Sequence, residues 1–539
     1  MGRDNVILAI VILSILLCPS LLLSTNISGD IWGVMNPENN PYNVVGDLRV
    51  PRDSTLSIQP RCLIYFTGHY KFIIDTNAVF IAEGSETDSI RFTAQDTAEG
   101  WLGLRFFNAD SSCRLVYCVL ECGKTLDRTY QFLNDGGAIY AANTNLQIDH
   151  CSLTRNRAWD GNGGAIYFEN GRLSLLNSEI THNFCAFGGS GIFCFSSILS
   201  IRDCLFYKDS TWYPLGGDFG GAITLSACPQ IEIIESTIKD NFSGQGGGGA
   251  YITSSSMILD NNKILYNGSI DAGGGVLMVG CTADISRNII YGNRNYIGGG
   301  GGLACVRSTI NLCNNTIANN SDGPGGGMWT RLGQTTMRNN IFWGNISHLG
   351  MQIYAEQETI AVAEYNDIQG GWPGVGNIDA DPLFADTANG DFHLTWTGYP
   401  ANDSSKSPCI DTGDPSSPLD PDTTRADIGA LFFDRRLMAI AEPQPLSEGS
   451  WRPDIFSLRN YPNPFNSSTV LRYALPAPSP VTIDIYDILG RKLLTLADGI
   501  QPAGSHQLLW DASEVPSGVY FYRLQAGQVS QTRRMMLIK

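Results

Sequence analysis

Between Leu115 and Gly371 one nine-residue pattern of apolar and polar positions recurs in ten copies. They read "LVYCVLECG" from Leu115, "IDHCSLTRN" from Ile148, "LLNSEITHN" from Leu175, "IRDCLFYKD" from Ile201, "IIESTIKDN" from Ile233, "LDNNKILYN" from Leu259, "ISRNIIYGN" from Ile285, "LCNNTIANN" from Leu312, "MRNNIFWGN" from Met337 and "AEYNDIQGG" from Ala363. Their starts are 33, 27, 26, 32, 26, 26, 27, 25 and 26 residues apart. Position six is always apolar, from Leu120, Leu153 and Ile180 through to Ile368. Position four is Cys118, Cys151, Ser178, Cys204 and Ser236, then Asn262, Asn288, Asn315, Asn340 and Asn366. Like residues recurring two places apart on one face are the mark of a strand, since a helix would not keep positions four and six together. A second signature, such as Gly136-Gly137-Ala-Ile-Tyr and Gly163-Gly164-Ala-Ile-Tyr, precedes most copies. Its connectors are too short for helical repeats, so the period predicts a coil of short strands, each pairing with its copy one turn on: a parallel β-solenoid. The Asn column suits it, because stacked amides hydrogen-bond along the axis.

These repeats resemble the right-handed parallel β-helix family of extracellular pectate-lyase-like proteins over residues 45–440, within a β-helix domain expected over 25–440. "STLSI" from Ser54, "CLIYFTG" from Cys62, "AVFIAEGSETDSIRFTA" from Ala78 and "WLGLRF" from Trp101 resemble opening coils, placed at 45–110; regular repeats occupy 115–370. "NIDADPLFADTANGDFHL" from Asn377 and "SPCIDTGDP" from Ser407 resemble a closing segment over 371–440.

The two ends read differently. Arg3, the apolar run Val6 to Leu13, its resumption at Ile15, then Pro19 and Ser24 have the order of a secretory signal peptide over residues 1–24. Pro19 argues against an uncleaved anchor, and the bulky Leu17 before Cys18 argues against a lipoprotein signal. A Pro-rich linker is expected over 441–454. Beyond it short alternating runs between Pro and Gly turns predict a small antiparallel sandwich over 455–539. Pro462-Asn463-Pro464, Tyr486-Asp487 with Gly490-Arg491, and Pro516 with Gly518 and Tyr520 closely resemble the type A C-terminal sorting domain of type IX secretion cargo, which is similar to the immunoglobulin-like domain of flagellar hook-capping proteins. The resemblance implies the type IX machinery as a partner, a Gram-negative envelope, passage through the periplasm, and release or surface attachment. The fold class expected is therefore all-β: a right-handed parallel β-helix followed by an Ig-like β-sandwich, with the membrane met only through the signal or surface attachment.

Composition narrows the function. The 539 residues carry a net charge of −17 with no basic stripe, which excludes nucleic acid as a partner. A 43% hydrophobic chain can bury a core, and its 59 glycines lack the collagen period. Of 14 cysteines, 13 follow the signal segment, an odd number better explained by the repeat than by a disulfide scaffold. Cys118 and Cys151 fall in successive coils and could reach one another; a buried thiol stack is the favoured reading. With six histidines and no Cys-x-x-Cys spacing, no metal site is expected.

Position eight, one alternation beyond the buried position six, is expected to face solvent. There Arg155, His182, Lys208 and Asp240 form a strip over three coil steps, about 14 Å. A base such as His or Lys beside a cation suits proton abstraction next to a uronate carboxylate, so these four are the catalytic candidates, although outward solenoid positions are polar as a rule. Trp159, Phe187, Trp212, Tyr213 and Phe219 crowd the same coils and are candidates for stacking on sugar rings. The insertion "DSTWYPLGGDFGG" lengthens one step there. No carboxylate pair resembles that of the polygalacturonases, and no central acidic cluster resembles that of the pectate lyases. Asp379 with Asp381, and Asp420 with Asp422 and Asp427, read as Asx turns, with calcium the competing reading. The sequence thus favours a glycan-binding or display protein without a cofactor. The rivals are a polysaccharide lyase or hydrolase acting on an anionic polysaccharide, and a structural stalk or adhesin.

Overall fold

The computed structural model describes residues 24–125, 134–212, 220–356, 358–438, 457–461, 463, 465–475, 478–488, 490–502, 504–513, 515–527 and 529–537. The signal segment up to residue 23, the linker, Tyr213, Phe219, Pro462 and Pro464 lie outside them. The chain divides into two compact units, residues 1–440 and 441–539. Among the described residues the only α-helix is a single turn, Arg435–Met438.

The first unit is a parallel solenoid. In one representative coil Ile139–Ala142 forms a first face, Asn145–Asp149 a second and Ser152–Thr154 a third; the two-residue strand Arg157–Ala158 makes a narrow fourth before the Gly-rich return. Each strand pairs in parallel with its counterpart one coil on: Ile139 with Ile166, Leu146 with Leu173, Leu153 with Ile180, Ala158 with Cys185. The second face carries thirteen strands, and pairing starts at Thr25–Asp30 against Tyr42–Val50. Positions four and six point inward as expected: Cys118, Leu120, Asn262 and Ile264 are at most 1% exposed.

Three corners of each coil are turned by single residues with left-handed backbone. One corner uses Asn143, Asn170, Ser196 and Ala227; the next uses His150, Asn177, Asp203 and Glu235; the third uses Cys122, Arg155, His182, Lys208, Asp240 and Tyr266, at φ of 54° to 59°. The expected strand alternation at position eight is therefore corrected: Arg155, His182, Lys208, Asp240 and Tyr266 reach solvent because they turn a corner, while Cys122 at the same corner is buried. A side chain in this conformation costs roughly 1–2 kcal/mol, so tertiary structure must hold it. The kink also draws the next residue's N–H out of the strand ladder, and a side chain of the following coil accepts it. Cys118 N–H donates to Cys151 Sγ (3.3 Å), Cys151 N–H to Ser178 Oγ (3.0 Å), Ser236 N–H to Asn262 Oδ1 (2.8 Å) and Asn262 N–H to Asn288 Oδ1 (2.9 Å). A second amide column follows the third corner: Asn241, Asn267, Asn293 and Asn320 repeat the arrangement at 2.9–3.1 Å. Its position-nine signal stands in plain view as the Asn that ends seven of the ten repeated phrases.

All described cysteines are free thiols, and all but Cys313 are buried. Cys118 and Cys151 are therefore unbridged neighbours in an acceptor column. The Gly-rich returns are tight: Gly136 has φ 65°, and a Cβ on Gly137 would lie 2.3 Å from the Gly164 carbonyl oxygen.

The closing segment turns back along the solenoid. Its hairpin, Phe384–Asp386 with Asp391–Leu394, and a cluster of Trp396, Cys409, Ile428 and Phe433 cover the third face of the later coils around Ile341. The second unit is antiparallel, with sheets of three strands (Ser457–Tyr461, Ser468–Leu475, Gly504–Asp511) and four (Ser479–Asp487, Lys492–Gln501, Gly518–Ala526, Val529–Leu537) around Leu471, Ile483, Trp510, Tyr522 and Met535.

Candidate functional site

The third corner and the narrow fourth face bring charge and aromatic surface together at the early coils. Glu121, Arg155, Arg157 and His182 line a basin of about 330 Å³ with Arg91 and Lys124. Glu121 is only 6% exposed and accepts from Arg91 Nη1 and Arg155 Nη2, both at 2.6 Å. The guanidiniums are half exposed or more, at 51% and 64%, so each pair adds only about 0–1 kcal/mol to stability; their remaining donors face the basin. Lys124 donates from Nζ to the Thr97 and Ala98 carbonyls at 2.5 and 2.9 Å, and burial, then Arg157, lowers its pKa. Burial likewise lowers that of Arg157. Four Arg or Lys cations thus surround one carboxylate on a protein that is acidic as a whole.

Beside the basin the fourth face presents Lys124, Arg157, Phe184, Ser210 and Phe242 in one outward column, while Thr125, Ala158, Cys185 and Thr211 point inward. Trp159 is 43% exposed, 5.6 Å from Phe184, with the Arg157 guanidinium 4.4 Å from its ring. Trp212 is 51% exposed and stacks on Phe242 at 6.1 Å.

The four catalytic candidates occupy successive corners but not equivalent settings. Arg155 is paired with Glu121. His182 sits edge-on to Tyr207, centroids 5.5 Å apart. Lys208 lies over the same ring at 4.9 Å, and its hydrogen bond to Tyr207, then the phenol's charge, raises its pKa. Asp240 faces Lys239 at 3.6 Å. Sequence reasoning missed Arg91, Glu121, Lys124 and Arg157. The first belongs to the opening coils, and the others sit at positions whose residue type changes from copy to copy, as in Glu121, Thr154 and Tyr207 or Arg157, Phe184 and Ser210.

The closing-segment carboxylates are committed to backbone. Asp427 accepts from Asp411 N–H and Phe433 N–H, both at 2.7 Å; Asp420 accepts from Asp427 N–H (2.8 Å); Asp422 and Asp381 close Asx turns. Among the described residues no group of three or more His, Cys, Asp or Glu side chains is placed to hold a metal ion. These bonds are those of the turns that the sequence reading favoured for these carboxylates.

In the second unit the recurring residues hold turns and straps. Asn463 accepts from Met536 N–H (2.8 Å) and donates to the Arg534 carbonyl (3.1 Å), pinning the final strand. Asp487 accepts from Arg491 Nε (2.7 Å) across the turn at Gly490, whose φ is 74°. Tyr520 Oη donates to the Pro516 carbonyl (2.6 Å), beside Gly518, and Tyr486 Oη donates to Asp484 (3.2 Å).

Parallel coils stacked on amide columns, joined to a separate antiparallel module, define a two-part β-solenoid protein. The chain belongs to the right-handed β-helix family: residues 77–246 and 241–368, together more than half of it, match the family described as "Right handed beta helix region". Residues 459–539 match the family described as "Secretion system C-terminal sorting domain". That tail engages the type IX secretion machinery and directs export to the cell surface or the extracellular space. No curated protein and no solved structure matches the chain.

Proposed function

We propose that this is a surface-displayed or released β-helix of a Gram-negative envelope. In this reading it reaches the periplasm on its N-terminal signal and binds acidic glycan on the surface formed by the third corner and fourth face. The observation that carries the reading is the adjacency of the cationic basin to the exposed ledge of Trp159 and Trp212. Cations hold acidic groups, and indole faces stack on sugar rings, as exposed aromatics do where they cluster at binding surfaces. Binding without turnover is favoured, because Arg155 and Asp240 are held in ion pairs and the two candidate bases, His182 and Lys208, both pack on the Tyr207 ring. The test incubates the purified protein with pectin, alginate and glycosaminoglycans, following unsaturated products by ultraviolet absorbance and retention on immobilised glycan. Retention without product is expected. Product that disappears in a His182→Ala, Lys208→Ala double variant would establish a lyase instead, and neither retention nor product would leave a stalk or adhesin.

A further inference from the structure

The third face is open over the early coils and shut over the late ones. Its outward side chains at Thr154, Thr181, Tyr207, Lys239 and Leu265 are partly exposed. One coil later Tyr291 is 9% exposed, and Ala318 beyond it 2%. The change coincides with the closing hairpin: the Phe392 ring stands 4.9 Å from Tyr291, whose hydroxyl donates to the Thr387 carbonyl (3.1 Å). The cations of the third corner stop short of that level, at Lys208, three coils before Tyr291. After Arg155, His182 and Lys208 that corner reads Asp240, Tyr266, Gly292, Asn319 and Gly344. Burial lowers the pKa of Lys263, on the third face, against the opposing pull of the Asp391 carboxylate of the hairpin.

We propose that the hairpin spanning 384–394 is the end wall of a binding track, so that the site takes a length-limited acidic oligosaccharide rather than a chain crossing it in mid-course. The proposal rests on the glycan-binding reading above and adds a limit to it. From the coil of Glu121 to that of Leu265 is five coil steps, about 24 Å. A ligand lying along this track places its acidic groups toward Arg91, Arg155 and Arg157 at one end and meets, at the other, the hairpin that the buried Phe392 anchors on Tyr291.

The full-length protein is titrated calorimetrically with size-graded oligogalacturonates and size-graded heparin fragments, the two arms separating carboxylate from sulfate, and with neutral cello-oligosaccharides. In at least one acidic series affinity is expected to rise roughly tenfold or more as the ligand lengthens to about 24 Å, and to change less than about twofold beyond it. Phe392→Ala should move that plateau to longer ligands. If this variant loses its fold, the length series on the unaltered protein decides alone. Affinity that keeps climbing past the expected length, as it would for a chain running over Gly292 and Gly344, overturns the wall and leaves glycan binding standing. Equal affinity for the neutral series overturns the acidic class, and no binding by any series overturns the reading on which the wall rests.

Discussion

Asp209 stands in a column of asparagines, its Oδ1 accepting both the backbone N–H and the side-chain Nδ2 of Asn183 at 2.8 and 3.0 Å. One coil either side, Asn183 and Asn241 also donate from Nδ2 to carbonyls, of Leu153 and Phe206. Asp209 Oδ2, fully buried, has no hydrogen-bond partner among the described residues. Burial accordingly drives its pKa well above the usual carboxylate value, against the pull of the Asn183 donors.

Asp209→Asn should therefore stabilise the solenoid by about 1–3 kcal/mol, by restoring a donor and removing a buried acid. A raised folded pKa favours the native state below the unfolded value near 4 and loses that advantage as pH climbs toward the folded value. The gain should accordingly be larger at pH 8 than at pH 4. Urea unfolding at both values checks it; an equal or opposite change would contradict the assignment.

The thiol column gives a paired prediction. Cys151→Ala orphans the Cys118 N–H and should cost about 1–3 kcal/mol, whereas Cys151→Ser supplies an oxygen acceptor and should cost far less. Burial pushes Cys62 and Cys113 up to about 11 and Cys204 up to about 12. Apart from the partly exposed Cys313, the described thiols of the native protein should thus react negligibly with a thiol reagent at pH 8, and fully only in denaturant.

The closing segment carries its own pH signature. Burial lifts Asp367 to about 7, Asp427 to about 7 and Asp420 to about 6. Each favours the folded cap when protonated, so protection of the cap should weaken as pH rises from 5 to 8. Hydrogen exchange at the Asp411 and Phe433 amides would follow it, and slower exchange at the higher pH, corrected for intrinsic rates, would refute it.

Export rests on the second unit. Truncation after residue 456 should leave the protein inside the envelope, as read by fractionation of cells and medium. Because Asn463 holds the last strand through Met536 and Arg534, Asn463→Ala should lower the melting temperature of that unit.

The solenoid was legible because its determinants are local and repeated. Position six names the core, and position four names an acceptor column that the structure extends to Asn377. The corners were misread for a physical reason: Arg155 and Lys208 are residue types that rarely take left-handed backbone, and only stacking on neighbouring coils holds them there. The basin was half legible, since Arg155 and His182 recur in register but Arg91 comes from an irregular coil. The cover over the third face was not legible, because Phe392 meets Tyr291 across a long sequence separation that no periodicity announces.

The central claim is that the basin at Glu121 binds acidic glycan. Its most direct test is the affinity of the full-length protein for size-defined acidic oligosaccharide in Arg155→Ala, Arg157→Ala, which leaves Arg91 paired with Glu121. The account predicts a loss of roughly tenfold or more that shrinks at high salt, with the melting temperature little changed. Affinity equal to that of the unaltered protein would contradict it.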